Sequence, residues 1–544
     1  MKPVFLIIFG ILWNVSIFAQ SRSFGTIPMI QAPKSKSRIN VNGEIDPYKK
    51  QKALEIFNKL RDARGDFRYP VPTFEMTKDV GMVASMDYNK LQINLEEKAY
   101  NVCATFADTN AAIAFLLAHE LSHYYEKHAW KRGFVSEFKD LAIGMKLDSL
   151  QDDVANETEA DYLGGFLAYS AGYGFFDQGS AIIKELYKAY GLGNKLPKYP
   201  SLQDRQAMSV RTTEKLRRLI QVFDMSNLLI AVGNYSEANE YLKYILMEYQ
   251  SRELYNNYGV SILSDVMTNY FNANELRFRY PIHLDLESSA KDAGIGNVRQ
   301  LLIKQAILQF DAAISMDPNY LPAYINKACA YALLGDPVRG EFYADVEARK
   351  IAEQNKDQKA IQDLTILLGI IKANKGDTLR AKELFETAKM AGSKLAGINL
   401  KILNREPLGD ETESGGSRSK PEQIDNTSLK SLILANEFTN PKSLQISNTI
   451  KFYFVPAQGP SSFLFISEQG DKSTYFHCTK PGYKLATAKK IAIGMNSDAI
   501  TSPTAYGNPK NTIETPNGRI LIYKSILFII GKDDKLERWV VYSN

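Results

Sequence analysis

The chain has 544 residues, of which 45% are hydrophobic and 23% are charged, and its formal net charge at pH 7 is +5. This length exceeds a single hydrophobic core, so we expect about 3 or 4 domains of ordinary globular composition. The charge is too small for the length to indicate binding to nucleic acid or to a membrane surface. No basic stripe or aromatic platform changes this, and we predict no nucleic-acid partner.

Residues 1–20 have the pattern of a secretory signal peptide. One basic residue, Lys2, precedes an apolar run that starts at Val4, and small or polar residues follow. We predict cleavage after Ala19 or Gln20, and therefore a periplasmic or secreted protein. The alternative is a membrane anchor, but a spanning helix needs about 20 apolar residues and polar residues interrupt this run. No later segment is long and apolar enough, so we expect no transmembrane segment in the mature chain.

The next segments predict a flexible leader and then a folded domain. Residues 21–44 are polar and contain Ser, Pro and Lys, whereas residues 45–225 show regular patterns and are predicted to form the first domain. A helical pattern runs from Asp46 to about Leu60. Residues 91–95 alternate between apolar and polar side chains, which predicts a half-exposed strand.

Three of the five histidines lie within ten residues, at positions 119, 123 and 128. Residues 110–128 contain no Pro or Gly and predict a continuous helix. Positions i and i+4 share a helix face, so His119 and His123 can present two imidazoles to one Zn²⁺ ion. Glu120 lies beside that face, where it can take a proton from an activated water. His128 lies off the face and is interpreted as structural. The alternative is a chance match to a short motif.

A second predicted helix, beginning near Asn156, carries two acidic side chains on one face. A catalytic zinc ion needs a third protein ligand and an open fourth position. Glu157 and Asp161 are again i and i+4. We predict that Glu157 is the third metal ligand and that Asp161 orients a ligand imidazole by a hydrogen bond. The alternative is that both acids lie on a solvated helix face.

These motifs resemble those of the HtpX and CAAX-prenyl-protease family of zinc metallopeptidases, of the gluzincin type. The most similar branch is soluble and periplasmic, with tetratricopeptide repeats fused to the peptidase domain (BepA-like proteins). The resemblance implies an α+β zincin-like domain that hydrolyses peptide bonds with one Zn²⁺. The family has a His-Pro-Pro segment followed by Arg, and the matching run here is 199–205. Pro200 and Arg205 fit this pattern, whereas Tyr199 replaces the usual His, so regulation of the metal by that side chain is open.

The resemblance also implies how a polypeptide substrate is held and cut. In the family an edge strand beside the zinc helix binds the peptide by strand addition, and we assign residues 86–95 to this role. The alternative is an ordinary strand of the sheet. Glu120 is the predicted general base and acid. Arg205 is the candidate for stabilising the oxyanion, or it braces the site through Asp204 or Glu157.

Residues 226–404 are predicted to form helical repeats. Helix–turn–helix units with small residues at crossing points occupy residues 227–249, 306–352 and 367–391. The spacing of about 34 residues and the acidic-Pro break at Asp317 are typical of a tetratricopeptide-repeat solenoid. Such a surface binds a protein partner or an extended peptide.

Residues 405–428 are rich in Gly and Ser and predict a flexible linker. Residues 429–544 predict a small all-β domain, with strands at 450–455, 462–466, 474–478, 490–493, 519–523, 526–530 and 539–542. The cysteines at 103, 329 and 478 are far apart and odd in number, so we expect no disulfide framework and interpret Cys103 as a buried apolar side chain. His477 and Cys478 have no further ligands nearby in the sequence and are interpreted as structural.

The sequence thus predicts an exported zinc-dependent endopeptidase that acts on envelope or misfolded proteins and recruits partners through its repeats. Peripheral association with an envelope assembly machinery is compatible with this prediction. The alternative is a periplasmic chaperone or assembly scaffold that works through its repeats with latent or no proteolysis. Tyr199 favours the alternative, whereas the intact set His119, Glu120, His123 and Glu157 favours the enzyme.

Overall fold

The chain forms a multidomain structure with a helical body and a C-terminal region built on a large β-sheet. The computed structural model describes residues 26–28, 44–78, 81–128, 153–192, 201–272, 275–282, 296–408, 421–435, 443–456, 461–515 and 518–543. The predicted signal peptide, most of the predicted leader, Tyr199 and Pro200 lie outside the described residues. Within the described ranges, no helix combines the length and apolar character needed to cross a membrane.

A small sheet lies in the N-terminal part of the helical body. Its strands have the order β1-β3-β4-β2 and comprise β1 (Thr26–Pro28), β2 (Thr73–Thr77), β3 (Ala84–Asp87) and β4 (Gln92–Glu96). β2 is parallel to β4, and the other pairs are antiparallel. The prediction of one edge strand over residues 86–95 is wrong, because these residues contribute to two strands and neither lies at the edge of the described sheet. Residues 26–28, predicted to be part of a flexible leader, form the outer strand.

Five helices accompany this sheet: α1 (Pro47–Arg64), α2 (Glu97–Cys103), α3 (Thr109–Tyr125), α4 (Asp153–Ala168) and α5 (Gly179–Ala189). The first three pack on its strands, α4 packs on α3, and α5 packs on α2. The Asp108 side chain begins α3 by accepting a hydrogen bond from the backbone N–H of Ala111. α3 ends at Tyr125, before the predicted end at residue 128. Lys127 then adopts a left-handed φ of 58° and turns the chain back.

The crossing of α3 and α4 depends on a glycine. A Cβ at Gly164 would lie 2.8 Å from the backbone carbonyl carbon of Ala118 and 2.8 Å from the backbone nitrogen of His119. Gly164 therefore permits a close approach of the two helices at the level of His119. This approach brings the acidic side chains of α4 to the histidines of α3.

Helices continue to residue 404, and each packs mainly against its neighbours in sequence. They are α6 (Leu202–Ala231), α7 (Tyr235–Glu248), α8 (Arg252–Asn269), α9 (Gly296–Met316), α10 (Leu321–Leu334), α11 (Pro337–Phe342), α12 (Arg349–Gln354), α13 (Gln358–Asn374), α14 (Thr378–Met390) and α15 (Lys394–Asn404). A π-helical segment, Tyr343–Ala348, joins α11 to α12. The predicted break at Asp317 lies directly after α9, and Asp336, Asp357 and Asp377 cap the helices that follow them.

The C-terminal region contains one antiparallel sheet of eight strands in the order β11-β12-β13-β14-β10-β9-β8-β7. The strands are β7 (Ser443–Gln445), β8 (Ile450–Pro456), β9 (Ser462–Gln469), β10 (Lys472–Thr479), β11 (Asn511–Thr515), β12 (Gly518–Ile522), β13 (Ile526–Gly531) and β14 (Leu536–Ser543). Two short helices, α16 (Leu429–Ala435) and α17 (Ser497–Thr501), accompany them. The strand predicted at 490–493 is wrong, since Lys490 has a φ of 65° within a turn.

The segment predicted as a linker is partly folded. Residues 423–428 form a hairpin of β5 (Gln423–Ile424) and β6 (Thr427–Ser428), and Ile424 is buried in the core of the C-terminal region. This region also packs on the helical body through one face of its large sheet. Tyr241 of α7 donates a hydrogen bond to Ser467 Oγ at 2.7 Å, and Thr474 Oγ1 donates to Glu237 at 3.2 Å.

Candidate metal centre

Three predicted metal ligands meet where α3 and α4 cross. His119, His123 and Glu157 are buried, and one nitrogen or oxygen of each lies within 4.8 Å of the others. The Nε2 atoms of His119 and His123 are 3.0 Å apart. The Glu157 carboxylate reaches both rings, at 3.5 Å from His119 Nε2 and 3.4 Å from His123 Nε2. The structure thus brings together the predicted ligand set from two helices.

Hydrogen bonds on the far side of each ring determine which nitrogen faces this cluster. Asp161 Oδ1 lies 2.8 Å from His119 Nδ1 and accepts its proton. His128 Nδ1 lies 2.7 Å from His123 Nδ1, and His128 Nε2 lies 2.9 Å from Glu159 Oε2. Because Glu159 can only accept when ionised, His128 donates from Nε2 and accepts from His123 at Nδ1. In this assignment both ligand rings carry a proton on Nδ1, so each ring presents an Nε2 lone pair to the cluster when it is neutral.

His128, interpreted from the sequence as structural, contacts a predicted metal ligand. It lies five residues beyond His123 and off the helical face, but the left-handed Lys127 returns it to the site, where it is fully buried. Sequence reasoning also did not assign a role to Glu159 or Tyr88, whose hydroxyl donates to the His123 carbonyl at 3.0 Å. The only signal in the sequence was a third histidine in a short segment.

Arg205, near the start of α6, forms a buried ion pair with a predicted ligand. Its Nη1 lies 2.5 Å from Glu157 Oε2. Burial opposes ionisation of Glu157, but the Arg205 charge and the two imidazoles outweigh it and hold the pKa of this carboxyl well below its usual range. Of the predicted roles for Arg205, the geometry matches bracing through Glu157. Asp204 instead accepts a hydrogen bond from Ser201 Oγ at 2.6 Å.

Glu120 is fully buried, and neither of its carboxylate oxygens has a hydrogen-bond partner among the described residues. Burial raises the pKa of Glu120 to about 8, and the negative charge of Glu157 adds to the rise, whereas the positive charges of His119 and Arg205 oppose it. A carboxyl group with this pKa can both accept and donate a proton near neutral pH. A water molecule or a substrate group in the site would supply the hydrogen-bond partners that these two oxygens lack.

The pKa values of the two ligand histidines move in opposite directions. Burial disfavours protonation of His119, but its hydrogen bonds to Asp161 and Glu157 outweigh this and raise its pKa to about 10. Burial lowers the pKa of His123 to about 4. Without a metal, His119 thus also carries a proton on Nε2, which faces the unprotonated Nε2 of His123 beside the ionised Glu157.

This donor set fits a divalent metal ion. Two imidazole Nε2 atoms and one carboxylate are the ligands of a catalytic zinc site with an open fourth position. A dication would take the place of the proton that the facing nitrogens share. Such a site also requires a general base, and the unpaired Glu120 carboxylate lies next to the ligands.

The other candidate residues do not join this centre. The three cysteines are free and buried, and burial raises the pKa of the Cys103 thiol, which keeps it unreactive. His477 lies in β10 of the C-terminal sheet, where its Nε2 contacts Ser462 Oγ at 3.3 Å. The structural interpretations of Cys103 and His477 agree with these positions.

No protein-family model matches the chain, and no curated protein matches its sequence.

Proposed function

We propose that the protein is an exported, zinc-dependent endopeptidase that hydrolyses polypeptides of the cell envelope or misfolded proteins. The observation that carries the proposal is the convergence of His119, His123 and Glu157 on one point, with the unpaired Glu120 carboxylate beside them. The pattern of residues 1–20 supports export.

A Zn²⁺ ion held by His119, His123 and Glu157 would supply a Lewis acid that activates water and polarises a peptide carbonyl. Glu120 accepts a proton from the water as its oxygen bonds to the carbonyl carbon. Glu120 then returns this proton to the amine as the C–N bond breaks, so one water is consumed per peptide bond. Asp161 and the His128–Glu159 pair keep the ligand rings oriented, and Arg205 holds Glu157 in its ionised form.

The proposal extends to the family resemblance. Under it, residues 45–225 are a zincin-like domain of the HtpX and CAAX-prenyl-protease type, and the helices over 226–404 are tetratricopeptide-like repeats that recruit a protein partner. The capped helices that follow Asp336, Asp357 and Asp377 support a repeated unit. Peripheral association with an envelope assembly machinery follows from the same resemblance.

The identity of the metal has to be measured, because two imidazoles and a carboxylate also suit ferrous iron. Elemental analysis of the purified protein should find about one zinc per chain. Iron in place of zinc would contradict the assignment of a zinc peptidase.

The central test compares Glu120→Gln with the wild-type protein on casein, an unfolded substrate. We expect the variant to retain zinc and to lose activity by about 10²–10⁴-fold, because Gln cannot carry the proton. Glu185→Gln, the same change at a half-exposed position of α5, serves as the matched control and should cut normally. Casein cleavage that is equal in Glu120→Gln and wild type would overturn the enzyme and leave a chaperone or scaffold that acts through its repeats.

A further inference from the structure

The outer edge of β3 is covered by a segment from far upstream in the same chain. Thr26, Ile27 and Pro28 pair antiparallel with Asp87, Met86 and Ser85, respectively. The strand order places β1 outside β3, and no other described strand lies beyond it. An intramolecular segment thus occupies the position at which an added strand would extend the sheet.

This edge lies next to the candidate metal centre. α3, which carries the histidines, packs on β3. Tyr88, directly after β3, donates a hydrogen bond from its hydroxyl to the carbonyl of His123 at 3.0 Å. Since Thr26 is in register with Asp87, the residue before Tyr88, the backbone of β1 runs beside the strand on which the histidine helix packs.

We propose that Thr26–Pro28 is an intramolecular occupant of the substrate-binding edge, which a polypeptide substrate displaces before it is cut. The inference rests on the proposed function. Pairing through backbone hydrogen bonds makes little demand on sequence, so one edge can accept both the chain's own segment and a foreign peptide.

The pairing is built to be displaceable. It spans three residues, and the last of them, Pro28, has no backbone N–H to donate. Because β1 belongs to the same chain as β3, it competes with free peptide at an effective concentration on the order of 1 mM. Loss of the pairing should therefore lower the apparent KM about 3–10-fold. The value of kcat should stay the same, since no group of the metal centre changes.

The test compares Ile27→Pro with Ile27→Ala in the full, zinc-loaded chain. Proline removes the backbone N–H of residue 27 and restricts its φ, whereas alanine keeps the N–H and serves as the matched control. The first measurement is the steady-state KM and kcat for an unfolded peptide. The second is amide hydrogen exchange of residues 85–87 without substrate, which reports coverage of β3 independently of activity.

We expect Ile27→Pro to lower KM and speed exchange over residues 85–87, with Ile27→Ala close to wild type in both. Faster exchange with an unchanged KM would make β1 a structural strand and overturn the inference. Equal exchange in both variants would show that residues 26–28 do not cover β3, and it would overturn the inference as well. If no variant, wild type included, cuts any peptide, the proposed function fails, and the exchange result still reports whether β1 covers the edge.

Discussion

The protein buries histidines in two regions, and only one of the two environments stabilises a positive charge on a histidine. At the crossing of α3 and α4, three buried imidazoles are surrounded by Glu157, Asp161 and Glu159. In the C-terminal sheet, His477 contacts a hydroxyl, and its Nδ1 has no hydrogen-bond partner among the described residues. Burial alone keeps His477 neutral, whereas at the helix crossing the carboxylates of Asp161 and Glu157 outweigh burial for His119 and stabilise one positive charge, with His123 remaining neutral.

Polar groups left without partners distinguish the two regions further. The Glu120 carboxylate is a strong acceptor with both oxygens unpaired inside the first region. In the second region, Ser462 donates to Asp425 and accepts from His477, so the polar chain ends on a carboxylate within the domain. The first arrangement is completed by an added ion and water, whereas the second is nearly complete in itself.

We expect the largest effect on stability when the Glu157 carboxylate, the ion-pair partner of Arg205, is removed. Glu157→Leu leaves the buried Arg205 guanidinium without its partner and should cost about 3–5 kcal/mol of local stability in the metal-free protein. Replacing both members, as Glu157→Leu with Arg205→Met, should restore most of that stability, because two apolar side chains replace the pair. Native-state amide exchange of α3 and α4 measures both free energies.

Neither the single nor the double variant should retain zinc, which separates the stability of the pair from its role in metal binding. If the single variant is as stable as the double variant, the Arg205–Glu157 charge pair does not hold this region together. The contrast with the C-terminal sheet would then lose its electrostatic basis.

The local parts of the candidate site could be predicted from the sequence. The i, i+4 spacing places His119 with His123 and Glu157 with Asp161, because helical periodicity depends on neighbouring residues alone. Contacts made through turns or between distant segments could not be predicted. The return of His128 depends on a left-handed Lys127, Arg205 meets Glu157 from a separate helix, and β1 joins β3 from a segment that precedes the predicted first domain.

The same distinction between local and long-range contacts applies to the fold. For example, α1 and α3 begin directly after Asp46 and Asp108, whose side chains cap them. The prediction of a strand at residues 490–493 was wrong because Ile491 lies in a turn and is buried there. In the sequence, a buried apolar residue in a turn resembles one in a strand. Edge and interior strands also look alike in sequence, since their difference lies in what pairs beside them.

His477 gives an effect of intermediate size, which appears only as the pH falls. Burial lowers its pKa to about 4 from 6.5, while Asp425 nearby opposes the change. A histidine with a lowered pKa in the folded state contributes stability that is complete above pH 6.5 and is lost as the pH falls toward 4. The full difference corresponds to about 3 kcal/mol. Amide exchange of β9, β10 and β14 at pH 7, 5.5 and 4 measures the loss.

The variant His477→Asn has no ring to protonate, so the stability of its C-terminal sheet should change less over the same pH range. The difference between the two proteins isolates this residue from the carboxylates that also titrate near pH 4. Identical pH dependence would mean that His477 is protonated in the folded sheet without cost, and the proposed contrast between the two histidine environments would fail.

The smallest effect concerns the hydrogen bonds that orient the ligand rings. His128→Leu removes the acceptor for His123 Nδ1, and Asp161→Leu removes the acceptor for His119 Nδ1. Each should weaken zinc binding about 10–100-fold, or about 1.4–2.7 kcal/mol, as measured by competition with a chromophoric chelator. Ser462→Ala, which removes the hydroxyl partner of His477, is the control and should leave zinc affinity unchanged. If only Asp161→Leu loses zinc affinity, His123 is oriented without His128. The Glu159–His128 pair would then be a buried polar contact of the same kind as that of His477.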